Sequence, residues 1–202
     1  MIAATSSEAR PAAVTDRSAP RGPALPRSFY DRPTVEVARA LLGCRIARAG
    51  TEGARIVETE AYVARDAANH ASRGPTERNR SMFGAPGTLY VYRIHQVHCA
   101  NAVTRPGQAV LLRALEPVGP DHRDARGPGR LCRALDLTRA DDGLDLVLGP
   151  VRIYPRDRPV GRIVRGPRVG IRRAAERPLR FAIAGSPYVS SPRPWGRRGP
   201  SA

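Results

Sequence analysis

The sequence contains no lysine, so every one of its 34 Lys+Arg side chains is an arginine. This absence excludes the P-loop class of nucleotide hydrolases, because their phosphate-binding loop requires a lysine. It also restricts Schiff-base chemistry to the N-terminal amine, because no lysine amine is available to attack a carbonyl. The three cysteines, Cys44, Cys99 and Cys132, form no C-x-x-C motif, so neither a zinc ribbon nor a disulfide scaffold is expected.

Long apolar stretches are missing as well. The sequence has no run of about 18 apolar residues, so no membrane span is predicted. It does not open on a basic segment followed by an apolar one, so a secretory signal is not predicted either. These two absences favour a cytoplasmic protein.

Acidic residues are scarce relative to basic ones, since 18 Asp+Glu stand against 34 Arg and the formal net charge is +16. A basic run is often only a solvated face of a protein. Here the whole chain carries the same bias, which favours a polyanionic partner. The length of 202 residues fits one domain.

The distribution of apolar residues divides the chain into a domain and two flanks. Residues 1–28 are rich in Ala, Pro, Ser and Arg and lack an apolar period, so they predict a disordered tail. The domain is predicted at residues 29–190, followed by a basic tail at 191–202. Short helices are predicted at 35–42, 76–82 and 129–135. Strands are predicted at 44–49, 54–63, 88–95, 97–104, 108–117, 151–155, 162–171 and 179–184. Few helices among many short strands indicate an α+β fold.

An unusual strand carries two carboxylates beside a tyrosine. Because side chains alternate along a strand, Glu58, Glu60 and Tyr62 are predicted to share one face. One interpretation is a solvated acidic face on an edge strand, and the other is a pocket carboxylate that acts as a general base. The pattern alone does not decide between Glu58 and Glu60.

Other residues in the predicted strands also allow a functional interpretation. Arg113 breaks an apolar strand, and a buried arginine requires a carboxylate or phosphate partner, for which Glu58 and Glu60 are candidates. Tyr90 and Tyr92 share a strand face, which is typical either of a core or of a base-stacking platform. His95 and His98 could share a metal only on a helix, whereas this segment is predicted as strand and turn. We therefore predict no metal site and no cofactor.

Six segments, in order along residues 29 to about 190, resemble motifs of the alkyladenine (3-methyladenine) DNA glycosylase family. They are residues 55–62, 76–83, 86–92, 110–117, 127–132, and 178–181 together with 185–187. Each motif alone is weakly specific, but the six in family order are highly specific.

The resemblance implies a single compact domain with a curved antiparallel sheet, flanking short helices and a protruding β-hairpin that enters duplex DNA. It implies an enzyme that flips an alkylated purine out of double-stranded DNA and hydrolyses its N-glycosidic bond. The expected partner is double-stranded DNA containing alkylated purines, so we expect association with a bacterial nucleoid. We expect a monomer. We also expect no lyase activity, because the chain has no lysine.

The resemblance also implies roles for individual residues. Glu60 matches the general base that activates water, and Arg113 matches the arginine that positions this water. Three residues match the pocket walls that sandwich the flipped base, namely Tyr62, His70 and Tyr92. Asn101 matches the asparagine that screens purines by their exocyclic groups. The DNA-intercalating hairpin corresponds to His95, Gln96, Val97 and His98.

The hairpin departs from the family pattern, in which a tyrosine followed by Gly-Met fills the gap left by the flipped nucleotide. This chain has His95, Gln96 and Val97 there, and the segment to Asn101 is one residue shorter. A smaller wedge predicts weaker flipping of small lesions. One hypothesis is therefore specialisation for bulky or intercalated N3- or N7-alkylpurines, such as antibiotic adducts in self-resistance. The others are a generalist enzyme with a tolerated substitution and a non-catalytic protein that binds DNA lesions.

Overall fold

The computed structural model describes residues 22–118 and 123–192, and its centre is an eight-stranded antiparallel sheet. The α-helices in this part of the chain are α1 (Arg27–Tyr30), α2 (Thr34–Ala40) and α3 (Pro128–Ala134). The strands are β1 (Arg45–Arg48), β2 (Ala54–Tyr62), β3 (Leu89–Ile94), β4 (Val97–Arg105), β5 (Gln108–Pro117), β6 (Val151–Tyr154), β7 (Ile163–Gly166) and β8 (Arg180–Ile183). Short 3₁₀ helices lie at His70–Arg73, Arg80–Phe83 and Arg139–Asp141.

The order of strands makes β2 the centre of the sheet. The main path runs β3-β4-β5-β2-β1-β6, and β8 pairs with both β2 and β7. One edge of β2 pairs with β5, while β1 and β8 divide the other edge between them. Three partners on one strand curl the sheet, and the predicted α+β class with a curved antiparallel sheet and short flanking helices is confirmed.

The central position of β2 explains its burial. Eight of its nine residues are buried, although its sequence contains two glutamates and an arginine. Helix α2 packs close to the strand, where the hydroxyl of Thr59 donates to the carbonyl of Ala38 at 2.8 Å. A register shift between Ile56 and Glu58 against β5 breaks the simple alternation of side chains. The interpretation of this strand as a solvated acidic edge is therefore wrong.

The domain includes residues before Phe29, where the sequence pattern placed its start. Leu25 is buried in the main core, and Arg27 makes an ion pair with Asp145 at 2.5 Å. The packed structure thus includes the last part of the predicted tail, which corrects the boundary at residue 28. The rest of that tail, residues 1–21, lies outside the described residues, as do residues 193–202 of the predicted C-terminal tail.

The predicted helix at 76–82 is replaced by a loop and the 3₁₀ helix Arg80–Phe83. The side chain of Asn79 accounts for the difference. Its oxygen accepts from the backbone of Thr76, and its nitrogen donates to the carbonyls of His70 and Gly74. Such side-chain bonds give the backbone an alternative to helical pairing.

The predicted strand at 162–171 ends early, at Gly166. Pro167 has no N–H to donate to a ladder, so the pairing cannot continue through it. The residues that follow turn towards β2, where they contribute to the site described below. None of the helices in residues 22–118 and 123–192 is long and apolar enough to cross a membrane.

Candidate active site

Arg113 on β5 joins the two glutamates of β2. Its Nε lies 3.3 Å from Oε1 of Glu58, and its Nη1 lies 3.3 Å from Oε1 of Glu60. Both carboxylates have no exposed surface, and the arginine is 5% exposed. Removing three charges from water is costly unless they are paired, so this arrangement requires a close match of geometry.

Glu58 is hydrogen-bonded by groups on β8 and in the segment at Ser190. Its carboxylate accepts from Arg180 Nε at 2.5 Å, and from the backbone N–H and the hydroxyl of Ser190 at 2.7 and 3.1 Å. Arg180 and Ser190 thus supply all three hydrogen bonds to Glu58 among the described residues, and Arg113 adds an ion pair. Glu58 therefore connects β2 with β8 and with the segment at Ser190.

Glu60 has a different set of partners. Its Oε1 accepts from the backbone N–H of Val169 at 2.8 Å, and its Oε2 accepts from the hydroxyl of Tyr62 at 3.0 Å. Because a carboxylate has about four acceptor positions and Arg113 uses one more, one position on Oε2 stays open. Burial raises the pKa of Glu60, although Arg113, the Val169 N–H and the Tyr62 hydroxyl act in the opposite direction. Such a pKa suits a general base better than that of an exposed glutamate.

The three partners of Glu60 form one wall of a cavity of about 360 Å³. We call it the aromatic cavity, and it is lined by Tyr62, His70, Tyr90, Tyr92, Asn101 and Arg113, among others. Glu60 itself lies directly behind this wall. The structure thus brings Tyr62, His70, Tyr92 and Asn101, all chosen from the sequence, to a single cavity beside Glu60 and Arg113.

The His70 ring packs edge to face against Tyr92, whereas the rings of Tyr90 and Tyr92 are tilted by 32°. The ring centroids of His70 and Tyr92 lie 4.3 Å apart at 73°, and those of Tyr90 and Tyr92 lie 5.5 Å apart. The hydroxyl of Tyr90 lies 3.1 Å from Nδ1 of His70. Burial lowers the pKa of His70, so the imidazole is neutral at pH 7. A neutral ring does not repel a cationic ligand.

Asn101 is oriented by two backbone carbonyls. Its Nδ2 donates to the carbonyls of Tyr90 and Cys99 at 3.0 and 3.3 Å. The amide oxygen is therefore the atom presented to the cavity, where it can accept a hydrogen bond from a ligand.

Sequence reasoning missed several residues of this site. Tyr90 lines the cavity; the sequence placed it on one strand face with Tyr92 but did not assign it to the site. Val169 acts through its backbone N–H, which has no sequence signature. Arg180 and Ser190 come from the distant end of the domain, and no local pattern connects them with Glu58.

The β3–β4 hairpin carries the four residues predicted to intercalate. His95 and Gln96 form its exposed two-residue tip, and both have positive φ, 45° and 65°. Val97 and His98 already belong to β4, and His98 pairs with Arg93. Beside the tip, Ile94 and Val97 are 48% and 39% exposed. The tip is thus a narrow polar turn on an apolar base, and His95 also reaches the aromatic cavity.

The hairpin tip is strained, because side chains with a Cβ rarely adopt positive φ at both central positions of a turn. We expect the double substitution His95→Asn with Gln96→Gly to raise the free energy of unfolding by about 1–2 kcal/mol. Urea denaturation measures this difference. His98→Asn, outside the turn, is the matched control and should bring no gain. An unchanged or lower stability of the double variant would show that the turn is not strained.

No group of three or more potential metal-ligating side chains occurs within residues 22–118 and 123–192. All three cysteines are buried and free.

The site thus combines a buried glutamate, the arginine that pairs with it, an aromatic cavity and an exposed hairpin. A family model described as methylpurine-DNA glycosylase (MPG) matches residues 28–187. The chain belongs to the methylpurine-DNA glycosylase family.

Relatives with curated names agree with this placement. A protein of Rhizobium etli is 47% identical over 179 residues, which cover 82% of this chain and 88% of the relative. A protein of Agrobacterium fabrum is 46% identical over 182 residues, which cover 83% of this chain and 93% of the relative. One from Methanocella arvoryzae is 47% identical and covers 85% of this chain and 98% of its own. The names of all three contain the words 3-methyladenine DNA glycosylase.

Proposed function

We propose that the protein is a monofunctional glycosylase that flips an alkylated purine from duplex DNA and hydrolyses its N-glycosidic bond with a water activated by Glu60. The observation that carries this proposal is the buried Glu60 carboxylate, which is held by Arg113 and Val169 at the wall of an aromatic cavity. The raised pKa of Glu60 and its open acceptor position fit a general base.

The chemistry follows from the charge of the substrate. Alkylation at N3 or N7 makes the purine cationic, so it departs readily with the electron pair of the glycosidic bond. The sugar then gains oxocarbenium character, which the anionic Glu60 stabilises. Water attacks C1′ and gives a proton to Glu60, and the products are the free base and an abasic site. Arg113 holds the carboxylate in position for this step.

The aromatic cavity suits a cationic base. The faces of Tyr62 and Tyr92 are electron-rich, and such rings attract cations. The neutral imidazole of His70 adds a third aromatic surface without charge repulsion. The amide oxygen of Asn101 can accept from an exocyclic amino group, which gives the pocket a means of selecting among purines.

The absence of lysine supports hydrolysis without strand cleavage, because lyase activity requires an amine that forms a Schiff base with the abasic sugar and no lysine amine is present. We retain the prediction of a monomer that acts on nucleoid DNA in the cytoplasm. The non-catalytic alternative, a protein that only binds lesions, predicts no base release under any conditions.

An arginine-lined cleft beside the aromatic cavity supports duplex DNA as the partner. This arginine cleft has a volume of about 460 Å³, contains Arg78, Arg93 and Arg139, and shares the wall formed by His70, Tyr90 and Tyr92. No carboxylate lines it, and Arg78 and Arg93 are exposed. Guanidinium groups bind phosphate in a bidentate manner, so the cleft is suited to the backbone next to a flipped nucleotide.

The charge of the arginine cleft predicts salt-dependent binding to DNA. We expect affinity for undamaged duplex to fall steeply with ionic strength, because each phosphate contact releases counterions. Arg93→Gln should reduce the slope of log K against log salt by about 1. The matched control is Arg158→Gln, since Arg158 is exposed but paired with Glu116. Fluorescence anisotropy over a salt series measures both slopes. An equal loss of slope in the two variants would argue against a phosphate site in the cleft.

The substrate class is tested by single-turnover release of bases from three duplexes. These carry 3-methyladenine, 7-methylguanine and a bulky N7-guanine adduct whose planar substituent is already intercalated. The short polar tip fills little of the stack, so we propose that the bulky adduct is released at least as fast as the small lesions. Efficient release of small lesions together with poor release of the bulky adduct would indicate a generalist enzyme.

A further inference from the structure

Asp66 and Arg168 form an ion pair in which neither side chain has any exposed surface. Arg168 Nη1 donates to Asp66 Oδ2 at 2.5 Å, and Nη2 donates to Oδ1 at 3.0 Å. A fully desolvated pair is rarely retained for stability alone, because well-packed apolar residues often do as well. Neither residue belongs to the wall of the aromatic cavity.

The pair touches three parts of the candidate active site. Arg168 Nη1 also donates to the carbonyl of Ala61, the residue between Glu60 and Tyr62, at 3.1 Å. The guanidinium carbon of Arg168 lies 4.7 Å from the centre of the Tyr62 ring. The next residue, Val169, donates its backbone N–H to Glu60.

Asp66 connects the same pair with the opposite side of the cavity. It lies in the loop between β2 and His70, and its Oδ1 also accepts from the backbone N–H of Ala68 at 3.1 Å. Burial opposes ionisation of Asp66, but hydrogen bonds from Arg168 and Ala68 lower its pKa, so it is a carboxylate at pH 7. One anion thus fixes both the loop that presents His70 and the segment that presents the Val169 N–H.

We propose that the Asp66–Arg168 pair is the positioning device of the reaction, which holds the Tyr62 ring and the Val169 N–H in place against Glu60. Arg168 touches neither water nor base and acts through these two groups. The catalytic role of the pair rests on the proposed function, whereas the effect of the pair on the ionisation of Glu60 does not.

The proposal predicts a change in the titration of Glu60. The Val169 N–H is one of the groups that favour its carboxylate form, so its displacement raises the pKa of Glu60 further. Tyr62, which the pair also holds, acts on Glu60 in the same direction as the Val169 N–H. The remaining titratable or charged groups that face Glu60 would stay in place: Arg113 on β5, Arg180 on β8, Cys99 on β4, and Glu58, which shares Arg113.

The test compares wild type with Arg168→Lys, which keeps the positive charge but cannot bond both oxygens of Asp66 and the Ala61 carbonyl together. We expect base release to fall about 100-fold, because small displacements of reacting groups cost this much. We also expect the acidic limb of the pH–rate profile to move up by about one unit. Arg48→Lys, which alters the remote pair with Asp141, is the matched control and should leave the pH profile unchanged.

A second readout needs no turnover. The Glu60 carboxyl is titrated by NMR in protein labelled with ¹³C-glutamate, and its signal is identified by its loss in Glu60→Gln. If Arg168→Lys folds poorly, the double variant Asp66→Asn with Arg168→Gln leaves no unpaired buried charge. Glutamine is too short to keep the bonds of Arg168 to both residue 66 and the Ala61 carbonyl, so the same upward shift is expected. A raised Glu60 pKa without base release by the wild type would support the positioning role and reject the proposed function. An unchanged titration and an unchanged pH limb, with only a lower melting temperature, would make the pair purely structural.

Discussion

Glu60→Gln is expected to reduce the rate of base release by about 10³-fold, because glutamine cannot take a proton from the attacking water. Binding to DNA that contains an abasic-site analogue should remain close to that of wild type. The free energy of unfolding at pH 7 should not fall, since burial raises the pKa of the folded Glu60 carboxyl and its ionised form destabilises the fold. Single-turnover kinetics, binding and urea denaturation measure the three quantities.

Glu58→Gln is the matched control for this substitution, because Glu58 lies two residues away on β2 and shares Arg113. It weakens the buried pair with Arg180, so we expect a loss of about 3 kcal/mol in stability. The folded fraction should retain base release within about tenfold of wild type, because the proposed mechanism assigns the general base to Glu60. If instead Glu58→Gln abolished release and Glu60→Gln kept it, the roles of the two carboxylates would be reversed.

Arg113→Met should combine a large loss of activity with a large loss of stability. The substitution removes the cation that two fully buried carboxylates share, and breaking such a pair costs about 3–5 kcal/mol. Because Arg113 lowers the pKa of Glu60, its removal raises that pKa. The base is then more protonated at pH 7, so the remaining activity should increase with pH.

Arg113→Lys separates charge from geometry, because lysine keeps the positive charge but lacks the planar fork that reaches both carboxylates. We expect it to lose less stability than Arg113→Met and to show a smaller upward shift of the acidic limb. The pH dependence of single-turnover release measures this shift. Identical pH profiles for wild type and Arg113→Met would show that Arg113 does not control the ionisation of Glu60.

Local patterns predicted most of the elements of this fold. The hairpin formed by β1 and β2 and the strands β3, β4 and β5 lie close to their predicted positions, because turn residues and apolar runs mark them. The order of the strands has no such local signal. It is this order that places β2 between β5, β1 and β8, and so turns an apparently half-polar strand into a buried one.

The site shows the same limit. A lone arginine in an apolar strand was sufficient to predict that Arg113 pairs with the β2 glutamates. The distinction between Glu58 and Glu60 rested only on the resemblance, because the groups that separate them come from remote segments. Ser190 donates to the Glu58 carboxylate and the Val169 N–H donates to the Glu60 carboxylate. Neither residue type indicates such a role in the sequence. The buried Asp66–Arg168 pair was likewise not foreseen, since it joins residues 102 positions apart.

The most direct test of the central claim is a crystal structure of the protein bound to duplex DNA that carries a cationic abasic-site analogue. We expect the analogue to be rotated out of the helix, with Tyr62, His70 and Tyr92 around the vacated base position. A water should lie about 3 Å from both the Glu60 carboxylate and the atom that replaces C1′. An analogue that stays stacked in the duplex, or a Glu60 still sealed behind Tyr62 with no water in reach, would contradict the account.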